Sequence, residues 1–91
     1  MTAAQDTPKV YASAGTITFH TLAIADEGQI DVSIHVTEVG AHRRARERFP
    51  QPADYQARPE KYRYDGETGS YPPADRQISI RVDEHTISLI D

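Results

Sequence analysis

The 91-residue chain contains no cysteine, and no apolar run in it approaches the length of a membrane span. Without cysteine there is no disulfide scaffold, no cysteine-ligated zinc or iron–sulfur cluster, and no thiol nucleophile. A spanning helix needs about 18 or more consecutive apolar residues. The first residues also lack the basic stretch followed by an apolar one that marks an export signal. We therefore expect a cytoplasmic protein without a membrane partner.

Catalytic signatures are also missing. None of the serines lies in a Gly-x-Ser-x-Gly elbow, and no glycine-rich loop leads into a lysine and a helix. The acidic pairs at 26–27 and 83–84 fall in predicted turns, where carboxylates form local hydrogen bonds. The four histidines lack the two-residue or four-residue spacing that typically brings zinc ligands together. We expect no enzymatic activity, no metal and no cofactor.

The size of the chain predicts one domain with a small core. About 60% of the unfolded surface is buried in a domain of this length, and the large aliphatic residues are concentrated in 17–39 and 78–90. We expect residues 1–8 to be disordered and residues 9–91 to form a single β-rich domain, with a basic, Pro- and Tyr-containing excursion at 41–75. Because the core is small, a homodimer is as much expected as a monomer.

The pattern at 16–39 predicts a β-hairpin. Its second arm alternates, and we predict that the apolar residues face the core: Ile30, Val32, Ile34 and Val36. In the first arm the apolar parity changes near His20 and Thr21, which predicts a β-bulge, with a strand covered on both sides as the alternative. Residues 26–28 predict a three-residue turn closed by glycine. This turn leaves His20 and His35 one residue out of register, a gap that the bulge would close.

The remaining segments predict further hairpins around a loosely structured connection. Gly40 is expected to end the second arm, residues 41–49 to form at most two helical turns without an apolar stripe, and residues 50–59 to be extended. A small hairpin is predicted around the turn at 65–69, and a third hairpin turns at 83–85. The fold class is therefore mainly β, a small antiparallel sandwich or open barrel built from hairpins with at most one short helix. An α+β fold is the alternative.

Positive charge is concentrated in one part of the chain, although the net charge is −4. Residues 42–63 contain seven cations and three anions, which leaves three cations and eleven anions elsewhere. Arginine and tyrosine are enriched at protein interfaces, and they also bind phosphates and stack on bases. The predicted binding residues are Arg43, Arg44, Arg46, Arg48, Tyr55, Arg58, Tyr62, Arg63 and Tyr64.

These residues predict a protein partner, with nucleic acid as the alternative and a solvated, tyrosine-covered loop as the structural explanation. Residues 61–69, KYRYDGETG, resemble the start of the DNA-binding hairpin of histone-like nucleoid-structuring proteins. That motif continues with tryptophan and a glycine-flanked arginine, whereas Ser-Tyr-Pro-Pro follows here, so no family is assigned. We expect a small accessory, inhibitor or immunity-type protein of the kind encoded by bacteria and their phages.

Overall fold

The computed structural model describes residues 15–89. In this range the elements are β1 (Thr16–Asp26), β2 (Gln29–His35), α1 (Glu38–Arg48), a single 3₁₀ turn (Pro59–Lys61) and β3 (Ile78–Ser88). The strands form one antiparallel sheet in the order β2–β1–β3. The prediction of a small, mainly β domain with at most one short helix is confirmed. The predicted disorder of residues 1–8 lies outside the described residues.

Helix α1 lies across one face of the sheet and builds the core. Ala41 and Ala45 are fully buried on it, and Phe49 follows at the same spacing of four residues. They pack on a cluster from the sheet that consists of Leu22, Ile24 and Ile78. A helix in this region is confirmed, but the expectation that it lacks a buried stripe is wrong. The stripe is narrow because two of its three members are alanines.

The start of α1 also differs from the prediction. Thr37 is its N-cap, and the Thr37 hydroxyl accepts a hydrogen bond of 3.0 Å from the backbone N–H of Gly40. Gly40 therefore lies in the first helical turn and does not end the preceding strand. Glu38 at the start of the helix and Arg46 and Arg48 at its end complement the helix dipole.

Strand β1 runs through the middle of the sheet without a bulge. It pairs residue by residue with β3 from Thr16 to Asp26, so the predicted bulge near His20 is wrong. The change of apolar parity has another cause. Leu22 and Ile24 face α1, whereas Ile17 and Phe19, of the opposite parity, face away from it, because successive side chains point to opposite faces of a strand. The strand therefore carries apolar residues on both sides, but the predicted alternative of a strand covered on both sides is not what the structure shows, because only the side of Leu22 and Ile24 is buried.

The turn between β1 and β2 contains two residues, not three. Glu27 and Gly28 both have positive φ, at 53° and 89°, which is the geometry of a tight hairpin turn that follows the strand twist. The resulting register pairs His20 with His35, which the predicted three-residue turn alone would have left one residue out of register, and it pairs Leu22 with Ser33. Polar residues of β2 therefore share the helix-covered face with Leu22. A turn longer by one residue would have reversed both faces of β2.

The predicted core face of β2 is therefore wrong. Ile30, Val32 and Ile34 lie on the face that α1 does not cover, and they are 71%, 58% and 72% exposed. Val36, just beyond the strand, is exposed as well. The helix-side positions of β2 carry polar side chains, and those of Asp31, Ser33 and His35 have partners. Asp31 lies 3.9 Å from Arg48, and Ser33 hydrogen bonds to His35 at 2.7 Å.

The last part of the chain holds one long strand. β3 is continuous through residues 83–85, so the predicted third hairpin is wrong. The small hairpin before it is present, since the isolated bridges Asp65–Ser70 and Tyr62–Pro73 are antiparallel. Residues 50–58 contain no helix or strand, as predicted, but the expected extended conformation of 50–59 is wrong, because the chain forms consecutive turns at 53–57 and a 3₁₀ turn from Pro59.

Replacing a core residue tests which face of the sheet is buried. Leu22→Ala should lower the free energy of unfolding by about 2–5 kcal/mol, because Leu22 is 1% exposed and its loss leaves a cavity under α1. The matched control Gln29→Ala, in an exposed strand position, should change it by no more than about 0.5 kcal/mol. Urea denaturation at one protein concentration measures both values. Equal losses would contradict the assignment of the core.

Candidate functional site

The predicted arginines of α1 are separated by the structure into two groups. Arg46 donates a 3.1 Å hydrogen bond to the carbonyl oxygen of Thr68, and its side chain packs against Gly69. Arg48 lies 3.4 Å from the Asp26 carboxylate and contacts the ring of Phe49. These two arginines hold α1 to the small hairpin and to the sheet. Their guanidinium groups therefore already have partners within the protein.

Arg43 and Arg44 form the other group. Both side chains are exposed on α1, and within residues 15–89 neither has an ion pair or a hydrogen bond. Beyond the helix, Arg58 pairs with Glu60 at 3.0 Å, and Arg63 donates to the carbonyl oxygen of Ile78 at the edge of β3. Four of the six predicted arginines are therefore engaged within the chain. Of the arginines in residues 15–89, Arg43 and Arg44 alone carry unpaired positive charge.

The predicted tyrosines come together with a fourth that the sequence did not single out as a binding residue. The tyrosine cluster consists of Tyr55, Tyr62, Tyr64 and Tyr71. Tyr71 is at its centre, with ring centroids 4.7 Å from Tyr55 and 4.9 Å from Tyr64, and the Tyr55 and Tyr62 centroids are 6.2 Å apart. Such edge-on and tilted contacts stabilise aromatic groups. Within the cluster, Tyr64 has the most exposed ring, at 52%.

One hydrogen bond fixes the tyrosine cluster to the connection before it. The Tyr62 hydroxyl donates to the Asp54 carboxylate at 2.7 Å, and this bond holds the pKa of Asp54 below its ordinary value of 3.8, with a smaller contribution from Lys61. The same bond raises the pKa of Tyr62, while burial raises the pKa of Tyr71. These pKa shifts follow from packing and favour the ordinary protonation states at neutral pH, which are an ionised Asp54 and protonated Tyr62 and Tyr71.

The histidines do not converge on a metal site. His20 and His35 are directly paired across the hairpin, and His20 lies 3.9 Å from Glu84. His85 is on the other face, where it hydrogen bonds to Thr21 at 2.8 Å and stacks on Phe19. Within the described part of the chain, no three His, Asp or Glu side chains are arranged to hold an ion.

A surface that the sequence analysis assigned to the core is the most prominent feature of the molecule. We call the side of the sheet opposite α1 the open face. Its apolar ridge (Ile30, Val32 and Ile34) runs along β2. The cross-strand neighbours of the ridge on β1 are smaller residues, which we call the trough: Ala25, Ala23 and Thr21. Ile17, Phe19 and Ile87 extend the apolar surface at one end.

The open face carries almost no charge. Among its strand residues only Arg81 and Asp83 are charged, and they pair with each other at 2.9 Å on β3. The alternation of β2 in the sequence indicates this surface, because it correctly predicts one apolar and one polar face of the strand. The length of the turn before β2 decides which of the two faces α1 covers, and one residue more in the turn would exchange them.

The fold and this surface define a class, a small two-layer domain in which one helix covers one side of a three-stranded sheet and an apolar side is left open. Models of protein families, curated proteins and solved structures were compared with the chain, and none of them gives a significant match. Over residues 15–89, no helix has the length and apolar character needed to cross a membrane.

Removing the Tyr62 hydroxyl tests the anchor of the tyrosine cluster. Tyr62→Phe should raise the pKa of Asp54 towards 3.8, as followed by an NMR titration of the carboxyl group. Because the folded-state pKa is lowered, the bond stabilises the protein above pH 3.8. That stability is lost as the pH falls through the folded-state pKa.

Tyr55→Phe is the matched control, because within the described residues the Tyr55 hydroxyl makes no hydrogen bond. This control should leave the Asp54 titration unchanged. A stability difference between Tyr62→Phe and the wild type that persists undiminished below the folded-state pKa of Asp54 would contradict the role of the bond.

Proposed function

We propose that the chain is a small non-enzymatic binding module that acts by protein–protein interaction through its open face. The observation that carries this proposal is the apolar ridge, whose three aliphatic side chains are more than half exposed at the middle of a regular strand. Contiguous apolar surface rimmed by polar residues is typical of interaction sites. The exposed part of the ridge is held rigid by the sheet, so binding it requires little ordering of the chain.

The chemistry of the open face favours a protein over a nucleic acid. Phosphate recognition depends on cations, and the one arginine on the strands of this face is neutralised by Asp83. An apolar surface of a protein partner would bury the ridge and leave Arg81 and Asp83 at the edge, in contact with water. This arrangement of an apolar centre and a polar rim is usual at interfaces.

The cellular role that we propose is that of an accessory, inhibitor or immunity-type protein, and a cytoplasmic location stays a prediction of the sequence. The nine arginines and tyrosines predicted from the sequence to bind, which we call the arginine–tyrosine surface, also stay a prediction, as a second contact region. Its unpaired and most exposed members are Arg43, Arg44 and Tyr64. The absence of catalytic motifs in the sequence supports a binding role.

Capture by the immobilised chain tests the open face as a binding surface. Offered a lysate of the source cell and, separately, the purified chain itself, the wild type should retain at least one protein that Val32→Lys does not retain. A lysine in the middle of the ridge places a charge in the contact and should weaken binding at least tenfold. Mass spectrometry identifies what is retained.

Two controls accompany this capture. Gln29→Lys adds the same charge on the same strand but on the other face, and it should retain the partner. Replacing Arg43 and Arg44 by glutamine should also leave retention unchanged. If the arginine variant lost the partner and Val32→Lys kept it, or if the wild type retained nothing beyond Val32→Lys in either arm, the proposal would be overturned.

Nucleic-acid binding is the second candidate, because Arg43 and Arg44 are exposed and unpaired within residues 15–89. It predicts that an electrophoretic mobility shift appears at low salt, weakens steeply as salt is raised, and is lost in the double glutamine variant. Two phosphate contacts predict a slope of about 2 in the logarithmic salt dependence. No shift at low salt would remove this candidate.

A further inference from the structure

We infer that the occupant of the open face is a second copy of this chain, which packs its own open face against the first in a two-fold symmetric dimer. This inference rests on the proposed function, because it names the partner of the same surface. Three properties of the described residues support it: the balance of buried and exposed apolar side chains, the relief of the open face, and its charge.

The first property is that the open face holds as much apolar material as the core beneath α1. Within residues 15–89 the buried core has four large members, namely Leu22, Ile24, Phe49 and Ile78, and Ile80 and Val82 pack partly buried against them. The ridge, Val36, Ile87 and Leu89 together leave six large aliphatic side chains that are 40–76% exposed. They amount to on the order of 500 Å² of apolar surface.

That area is near the upper end of the largest apolar patch on a typical monomer, which is about 300–600 Å². With the polar rim included, it approaches the ~800 Å² that each partner contributes to a stable interface. A second copy would therefore cover the ridge and the neighbouring part of this apolar surface, with Ile87 and Leu89 at the edge of the contact. It would also supply the second core that so small a chain lacks.

The second property is the relief of the open face. Each residue of the ridge is the direct cross-strand neighbour of a trough residue, as Val32 is of Ala23. A two-fold axis parallel to the strands and midway between β1 and β2 therefore places the ridge of each copy over the trough of the other. Two sheets in this arrangement pack face to face about 10 Å apart. The contact is self-complementary, as a two-fold interface requires.

The third property is charge. The chain carries a net charge of −4, which would oppose the approach of two copies through most of its surface. The strands of the open face contribute no net charge, since Arg81 and Asp83 form an ion pair with each other. In the two-fold arrangement β3 lies at the rim, so this pair stays hydrated. The dimer has four layers, with the helices outside and the two sheets inside.

Mass measurement by size-exclusion chromatography with light scattering tests this dimer in the full chain. The wild type should have twice the monomer mass of 10.2 kDa at micromolar concentration. Val32→Lys should be monomeric, with the dissociation constant raised about 30-fold or more. Gln29→Lys should remain dimeric, and circular dichroism should show that both variants keep the folded sheet.

A cross-linking test checks the geometry, because the natural chain has no cysteine. In a mixture of Ala23→Cys and Val32→Cys, a short bismaleimide should join the two variants, since those positions face each other across sheets about 10 Å apart, which is too far for a disulfide. Gln29→Cys, on the helix-covered face, should not cross-link. A wild-type dimer that survives Val32→Lys, or that cross-links through Gln29→Cys alone, would overturn the arrangement.

A monomer at every concentration would overturn the inference. If the capture of a different protein still depended on Val32, the binding function would stand without the second copy. If the chain were monomeric and no capture depended on Val32, both proposals would fail.

Discussion

The contact between α1 and the middle strand is the interaction on which the rest of the structure depends. Ala41 and Ala45 allow the helix backbone to approach the sheet closely, and Phe49 closes the end of the same stripe over Ile78. One short helix covers one face of three strands and leaves the other uncovered. The small hairpin reinforces this placement, since Arg46 joins the helix to Thr68 and the Tyr71 N–H donates to the Phe49 carbonyl.

The open face of the sheet is exposed because α1 covers only the opposite face. A small domain gains stability by burying apolar area, and a sheet with one apolar side needs only one covering layer. Here β1 and β2 together carry apolar residues on both sides, because Leu22 and Ile24 face the helix while the ridge faces away. The second apolar side has no structural use in an isolated copy. Its rigidity, its neutrality and its position opposite the basic helix separate it from the arginine–tyrosine surface.

The residues predicted to bind show how one composition serves two purposes. Arg48, Arg58 and Arg63 pair within the chain, and the tyrosines pack on one another around Tyr71. Composition indicates which residue types favour interfaces, but the same guanidinium groups and rings also stabilise loops. Arg43 and Arg44 differ from the others because neither makes an ion pair or a hydrogen bond within residues 15–89.

The sequence by itself determined the hairpin at its centre, the small hairpin around 65–69 and the small antiparallel β fold with at most one short helix. These features follow from local alternation, turn chemistry and helix propensity, which act over a few residues. The tertiary structure alone decided which side of β2 is buried and that β3 is one continuous strand. For β2 the physical reason is the two-residue turn at Glu27 and Gly28, because side chains alternate between faces and one residue more in the turn would exchange the two faces. For β3 the reason is its unbroken pairing with the middle strand β1, a contact between distant parts of the chain.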